Sequence, residues 1–295
     1  MFDFLKYRYV CLTISTIIIF AILGVFTYRV QTKGQAFNYS VDFQGGTQVL
    51  LKFQKPVSSA KILEILEKKG FEGAATREFA KDEVLVRIKE YSKNTNALAA
   101  KVMGYIKVDI PDNQAEILQT DAIGPGIGKE IRWKSIRAVL IALLLMLLYI
   151  MIRFWSVGFA VGSVAALLHD AIMMLGVFLF FNLEISVNVI AAILTVLGYS
   201  INDTIVIFSR IRSNIKSMHG APIVDIVNTS LNQTLKRTLL TSISTLLTVS
   251  ALFFLGGEAL REFSLALMIG ILFGTYSSIY IASPVMILFY KDNDK

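Results

Sequence analysis

The strongest constraint on this 295-residue chain is a set of six apolar stretches, at residues 10–28, 136–152, 157–181, 187–208, 235–255 and 263–290. A hydrocarbon core about 30 Å thick is crossed by about 20 helical residues. Only helices and closed barrels satisfy their own backbone hydrogen bonds there, and apolar runs of this length read as helices. The first stretch follows Lys6 and Arg8, as a secretory signal would, but it outlasts a signal's apolar core. It ends in Thr27, Tyr28 and Arg29 with no small-residue cleavage site, so it reads as an uncleaved span. Composition agrees: AVILMFWYC make up 55 % and charged residues 17 %, where about 25 % charged is usual in soluble domains. The single cysteine, Cys11, excludes a disulfide scaffold.

The charge is unevenly spread. Residues 31–134 carry 16 Lys+Arg and 13 Asp+Glu, leaving 13 basic and 9 acidic groups for the other 191 residues. The sequence therefore predicts a water-soluble domain at 31–134, a cytoplasmic N-terminus and first span at 1–30, a bundle of five spans at 135–290, and a tail at 291–295. The net charge of +7 is shared between the two parts, without the basic block of a nucleic-acid binder. Lys6, Arg8, Arg153, Arg210, Arg212, Lys216, Lys236, Arg237, Lys291 and Lys295 fall on one side. Arg29, Lys33, Arg132, Lys134, Arg137 and Arg261 fall on the other. The positive-inside rule then predicts both termini in the cytoplasm and the soluble domain outside.

Within that domain, 37–53 reads as strand material interrupted at Gly45-Gly46, 57–69 as a helix closed by Gly70, and 72–79 and 83–89 as strands. Ser92 is expected to cap a helix running to 105, and 115–123 to form a last strand. The order β-α-β-β-α-β is that of a ferredoxin-like α+β domain. The fold class is thus an α-helical polytopic membrane protein of six spans with an extracytoplasmic ferredoxin-like domain. Gly124-Pro125-Gly126-Ile127-Gly128 marks a flexible, hinge-like connection into the second span.

Polar residues at membrane depth carry the chemistry. Asp170 lies near the middle of the third span beside His169, and Asp203 lies in the fourth, preceded by Asn202. A charged group at a helix centre costs about 2.5–3.5 kcal/mol on insertion scales, so it is normally turned inward and put to use. Thr234, Thr238, Thr241, Thr245 and Thr248 follow steps of 4, 3, 4 and 3, one stripe of a helix with Arg237 beside its start. Such a stripe either lines a polar path toward Asp203 or serves only its own helix backbone. Gly158-x-x-x-Gly162 and Gly270-x-x-x-Gly274 are read as helix-packing sites. The sequence has no P-loop, no nucleophile elbow and no metal-ligand set, with His169 and His219 its only histidines, so neither cofactor nor metal is expected. Two aspartates on adjacent spans leave an intramembrane aspartyl protease as a lesser alternative, although neither sits in a glycine-framed motif of the presenilin type.

Three segments, in order, resemble one family: Val41-Asp42-Phe43-Gln44-Gly45-Gly46-Thr47, then Leu197-Gly198-Tyr199-Ser200-Ile201-Asn202-Asp203-Thr204 with Phe208-x-Arg210-Ile211-Arg212, and Asn232-Gln233-Thr234-Leu235-Lys236-Arg237-Thr238. They are similar to the signatures of the SecF family, the smaller partner of SecD in bacterial protein export, and depart at Ser40, where the family commonly has glycine. The resemblance implies a fold of the resistance-nodulation-division superfamily in the cell membrane. It also implies use of the proton or sodium gradient to complete preprotein translocation with SecD at SecYEG after SecA has acted, YajC and YidC being further candidate partners. It implies that Asp203 and Arg237 form the ion pathway, with Asp170, His169 and Asn202 as further members, and that Asp42, Gly45 and Gly46 organise the domain base. A lipid or small-molecule exporter of the same superfamily is the alternative reading.

Overall fold

The computed structural model describes residues 2–71, 73–92 and 94–290. The expected tail at 291–295, with Lys291 and Lys295, lies outside them, as does Glu72. In chain order the elements are α1 (Arg8–Lys33), β1 (Asn38–Tyr39), α2 (Val41–Gln44), β2 (Gly46–Phe53), α3 (Ser59–Lys68), β3 (Ala75–Ala80), β4 (Glu83–Ile88), α4 (Thr95–Asp109) and β5 (Ala115–Ile123). They continue with α5 (Pro125–Phe154), α6 (Val157–Phe180), β6 (Glu184–Ile185), α7 (Val187–Ser217), α8 (Ile223–Leu255), α9 (Glu258–Ser277) and α10 (Ser283–Phe289). Two compact units result: the chain up to Asn38 together with that from Arg137 onward, and Tyr39–Ile136.

Among the described residues, six helical segments are long and apolar enough to span a membrane: Leu5–Lys33, Gly126–Phe154, Val157–Phe180, Val187–Ser217, Ile223–Leu255 and Leu260–Phe289. The fourth and fifth run well past the expected ends. Apolarity marks only the part of a helix inside lipid, and Arg210, Arg212 and Lys216 on α7, like Asn228, Asn232 and Gln233 on α8, continue the same helices into the polar phase.

α6 and α9 form the centre, since 61 % and 56 % of the apolar windows of their spans are buried, against 11 % in α1 and in the α5 span. Both glycine pairs serve packing. A Cβ on Gly162 would meet the Ala282 carbonyl oxygen at 2.6 Å, and one on Gly158 the Met286 carbonyl oxygen at 3.1 Å, so α6 and the end of the last span touch backbone to backbone. At Gly270 the missing Cβ leaves room on α9 for the side chains of Val196 of α7 and Met174 of α6. The last span, expected as one helix, is interrupted by a π-helical segment, Ser278–Ala282. Pro284 has no N–H to continue the helical ladder, and Ser283 Oγ donates to the Ser278 carbonyl at 3.2 Å within the widened turn.

In the second unit β3-β4-β2-β5 form one sheet with every neighbouring pair antiparallel, joined in β-α-β-β-α-β order. Its core gathers Val49, Leu51 and Phe53 from β2, Ile62 and Leu66 from α3, Val84, Val86 and Ile88 from β4, and Leu98, Val102 and Ile106 from α4. These follow a period of two on the strands and three to four on the helices, which puts one face of each element inward. Gly70, at φ +90°, ends α3. Two details differ from expectation. The cap of α4 is Asn94, whose Oδ1 accepts from Ala97 N at 3.1 Å; Ser92 Oγ instead accepts from Asn94 N. In the stretch Gly124-Pro125-Gly126, expected as a hinge-like connection, only Gly124 lies outside regular structure, because Pro125 opens α5, a position where its fixed φ suits a helix and its missing N–H is not needed.

Candidate functional site

Asp203 lies on the inward face of α7. Val196, Ser200, Ile207 and Ile211, at helical steps from it, are buried as well, and Asp203 itself is 4 % exposed. Ser242 of α8 lies within side-chain hydrogen-bonding reach, and the Arg237 guanidinium bears on the carboxyl through space. Asp203 Oδ2 is fully enclosed and has no hydrogen-bond partner among the described residues, as is also true of Thr238 Oγ1. A half-satisfied buried carboxyl is costly, and inside a span such a group is by default a candidate for function. The expected pairing of Asp203 with Arg237 is therefore one of proximity.

The remaining expected members of this pathway separate. Asn202 and Arg237 are exposed. Thr195, Gly198 and Asn202 on α7, and Arg237, Thr241, Ser244 and Thr248 on α8, form adjoining exposed stripes, and Thr245 Oγ1 meets Tyr199 Oη at 3.3 Å between the helices. The threonine hydroxyls do not line a continuous wire: Thr234, Thr241, Thr245 and Thr248 each donate to a carbonyl three or four residues back in α8. In a span that is how a hydroxyl group is satisfied without water. On the polar side of Asp203, Gln233 Oε1 accepts from Arg210 Nε at 2.6 Å and from Asn214 Nδ2 at 2.8 Å. Asn214 Nδ2 also donates to Ser230 Oγ. The second and third sequence signatures are thus one hydrogen-bonded cluster tying α7 to α8.

Asp170 belongs to a second, separate cluster. It is 0 % exposed, accepts from Ser200 Oγ at 2.6 Å and faces His169 Nδ1 at 3.3 Å. His169 Nε2 reaches Ser15 Oγ of α1 at 3.2 Å, and Ser15 Oγ reaches Tyr276 Oη of α9 at 3.0 Å. A Cβ on Gly274 would stand 3.1 Å from Ser200 Cβ and 3.6 Å from Asp170 Oδ2, so this glycine lets α9 close over the pair. Ser15 and Tyr276 were not singled out by the sequence, because an isolated hydroxyl in an apolar run gives no periodic signal.

In the second unit the first signature is a tight turn. Ser40 Oγ accepts from Asp42 N at 3.2 Å and donates to Asp42 Oδ2 at 2.9 Å, capping the single turn of α2. Its own backbone is extended, at φ −68° and ψ 171°, so nothing there requires the family's usual glycine. Gly45 and Gly46 do require it, with φ of +78° and +119°, and a Cβ on Gly46 would strike the Ile88 carbonyl. Gly128, in the first turns of α5, seats on the same loop: its Cβ would lie 2.9 Å from Gly45 N and 3.1 Å from the Phe43 carbonyl carbon. Among the described residues no group of three His, Cys, Asp or Glu could hold a metal ion.

Against known proteins, residues 106–292 match the family of protein-export membrane proteins SecD/SecF, C-terminal, and residues 34–57 match the SecD/SecF GG motif. The chain is 38 % identical to the protein translocase subunit SecF of Thermodesulfovibrio yellowstonii over 99 % of this chain and 95 % of that one. It is 40 % identical to SecF of Pseudomonas aeruginosa over 97 % and 90 %. With the subunit SecDF of Thermus thermophilus it shares 41 % identity over 86 % of this chain and 34 % of that longer protein. The crystal structure of Thermus SecDF, described as a translocon-associated membrane protein, superimposes with a TM-score of 0.86 over 97 % of this chain and 38 % of its own.

Proposed function

The chain belongs to the SecD/SecF family of protein-export membrane proteins, on its SecF side, and from that premise we propose that it is one half of an ion-driven export device whose working charge is Asp203. It is a multi-pass subunit of the Sec export machinery. The observation that carries the ion reading is the enclosed, unpartnered Oδ2 of Asp203, set beside a band of exposed polar groups on α7 and α8.

That band names the partner. The exposed faces of α1 and α5 are apolar, with Ile17, Phe20, Leu144 and Leu145 among them, and suit lipid. Asn202 and Arg237 do not, because lipid offers neither water nor hydrogen bonds. A second helical half with matching polar groups covers them, and SecD is that half. SecYEG and the preprotein come next in the assembly, with SecA acting before this step and YajC and YidC as accessory partners. Both termini lie in the cytoplasm and the Tyr39–Ile136 unit outside.

The mechanism follows from charge. An ion that enters from the outer side neutralises Asp203, weakens its attraction to Arg237 and changes which partner helix pairs with each. One elementary charge crossing 100 mV supplies about 2.3 kcal/mol, so a few ions are enough to drive a domain movement. α1 and α5, which lead into the outer unit, pass the change on, and Gly124 just ahead of α5 is the place for the chain to flex. Asp42, Gly45 and Gly46 hold the domain base and carry no ion.

The test is completion of preprotein transport into inverted membrane vesicles holding SecD, SecYEG and either this chain or its Asp203→Asn variant at equal abundance. Gradient-stimulated completion should be lost in the variant while SecA-driven entry continues. Retention of the full gradient effect refutes the proposal. Exchanging Na⁺ for K⁺ at constant membrane potential separates sodium from proton coupling.

A further inference from the structure

Asn232, the first residue of the third sequence signature, takes no part in either polar cluster. It stands one helical step from Asn228 on the same side of α8, and both amides are spent on residues 2–4. Asn232 Oδ1 accepts from Phe2 N at 2.8 Å, and its Nδ2 donates to Phe2 O at 2.7 Å and to Asn228 O at 2.9 Å. Asn228 Oδ1 accepts from Phe4 N at 2.9 Å, and its Nδ2 donates to Phe2 O at 3.3 Å. A primary amide has one acceptor oxygen and two N–H donors. The pair therefore uses both kinds of group to hold the backbone of alternate residues, as a neighbouring strand would. The side chains extend the hold: the ring of Phe4 is buried, with its centroid 4.7 Å from that of Phe2 and 6.3 Å from that of Tyr280 in the π-helical segment.

From this clamp the chain enters α1 without slack. Asp3 Oδ1 accepts from Lys6 N at 3.1 Å, and the 3₁₀ turn Leu5–Tyr7 runs directly into Arg8, where α1 begins. A continuous helix of 26 residues moves as a rod. Packing alone does not oblige it to follow α8, since only 11 % of the apolar window of this span is buried. Hydrogen bonds from Cys11 and Ser15 join α1 to α6 and α9; the join to α8 is made by residues 2–4. On α8 the clamp lies beside Gln233, which is bonded to Arg210 and Asn214 of α7, and little more than one turn before Arg237.

We propose that Phe2–Phe4 is a coupling strap that makes α1 follow α8, with Asn228 and Asn232 as its positioning residues. The proposal rests on the ion-driven reading above and adds to it the contact by which a change in the pairing of Arg237 reaches α1, the helix that leads into the Tyr39–Ile136 unit. The strap stays closed while the two helices move together.

The experiment opens and recloses the strap in one protein. Phe2→Cys, Asn228→Ala and Asn232→Cys are combined in a Cys11→Ser background and placed with SecD and SecYEG in inverted membrane vesicles. The contact between Phe2 N and Asn232 Oδ1 brings those two positions together, so mild oxidation should bridge them. In the reduced state ion uptake should match that of the Cys11→Ser chain, while gradient-stimulated completion of preprotein transport falls toward the level that SecA alone supports. Oxidation should restore completion and leave ion uptake unchanged. A general loss of folding gives no such recovery, because the same molecules are read in both states. Failure of the bridge to form, completion equal in the two states, or completion blocked by the bridge overturns the proposal. So does a parallel fall of ion uptake and completion in the reduced state. Asp203→Asn measured alongside keeps the two proposals apart: a failed strap leaves that variant's loss of ion uptake as it was, whereas ion uptake that survives in Asp203→Asn refutes the ion site whatever the strap does.

Discussion

Gly46→Ala should unfold the Tyr39–Ile136 unit locally, and its effect can be worked from two independent features. The residue sits at φ +119°, a region that L side chains rarely adopt, and strain of this kind costs about 1–3 kcal/mol. The new Cβ would also strike the Ile88 carbonyl and come 3.4 Å from Lys89 Cα. The ends of β2 and β4, where Thr47 pairs with Ile88, must then part, and each backbone hydrogen bond lost adds about 0.5–1.5 kcal/mol. Together these give about 2–4 kcal/mol, a large share of a domain's usual 5–15 kcal/mol, and a midpoint lowered by roughly 10–25 °C for a unit of this size. Limited proteolysis of the full chain during a temperature ramp, with fragments read at the Tyr39–Ile136 unit, measures it. Gly104→Ala is the control: Gly104 is exposed in the middle of α4 with nothing within 4 Å of its Cβ position, so alanine there should stabilise by about 0.5–1 kcal/mol. Equal stability of Gly46→Ala and wild type, or a loss in Gly104→Ala as large as that in Gly46→Ala, refutes the reasoning.

Asn94→Ala removes the cap of α4 and should lower the stability of the Tyr39–Ile136 unit by about 1 kcal/mol, more than Ser92→Ala in the same proteolysis assay. Thr241→Val and Thr248→Val should leave preprotein export near wild type, because those hydroxyls serve their own helix; a loss as deep as that of Asp203→Asn would restore the threonine stripe as an ion path. Burial holds the Tyr39 hydroxyl above its ordinary value of 10.0, opposed by the nearby Arg132 guanidinium. The folded unit therefore keeps that proton after the unfolded chain has released it, and the Tyr39 contribution should be intact below pH 10 and fade as pH rises further, an alkaline loss absent from Tyr39→Phe. A single cysteine at exposed Asp112 in a Cys11→Ser background should react with a membrane-impermeant maleimide in intact cells if the Tyr39–Ile136 unit is extracytoplasmic, and only after permeabilisation if it is not.

The elements that the sequence made legible share one property: their signal repeats. Apolar runs marked the six spans, and alternation at Val84, Val86 and Ile88 marked β4, because burial acts on every turn or every second residue. Single contacts left no such trace. Ser92 and Asn94 are both good caps by type, and only the backbone path chose between them. The helical start at Pro125 was hidden because glycine and proline signal turns and helix beginnings alike. Asp203 stood out because a carboxyl in an apolar run is expensive. Ser15 and Tyr276 did not, although they join His169 to α1 and α9, since that contact depends on α1 and α9 meeting from opposite ends of the chain.

The central claim, that Asp203 is the working charge, is tested most directly by ion flux. Liposomes containing the chain with SecD, under an imposed membrane potential and pH gradient, should take up protons or sodium at a rate well above empty liposomes. Asp203→Asn should reduce that rate to the empty-liposome level while leaving the complex assembled. Undiminished flux through the assembled variant would contradict the account.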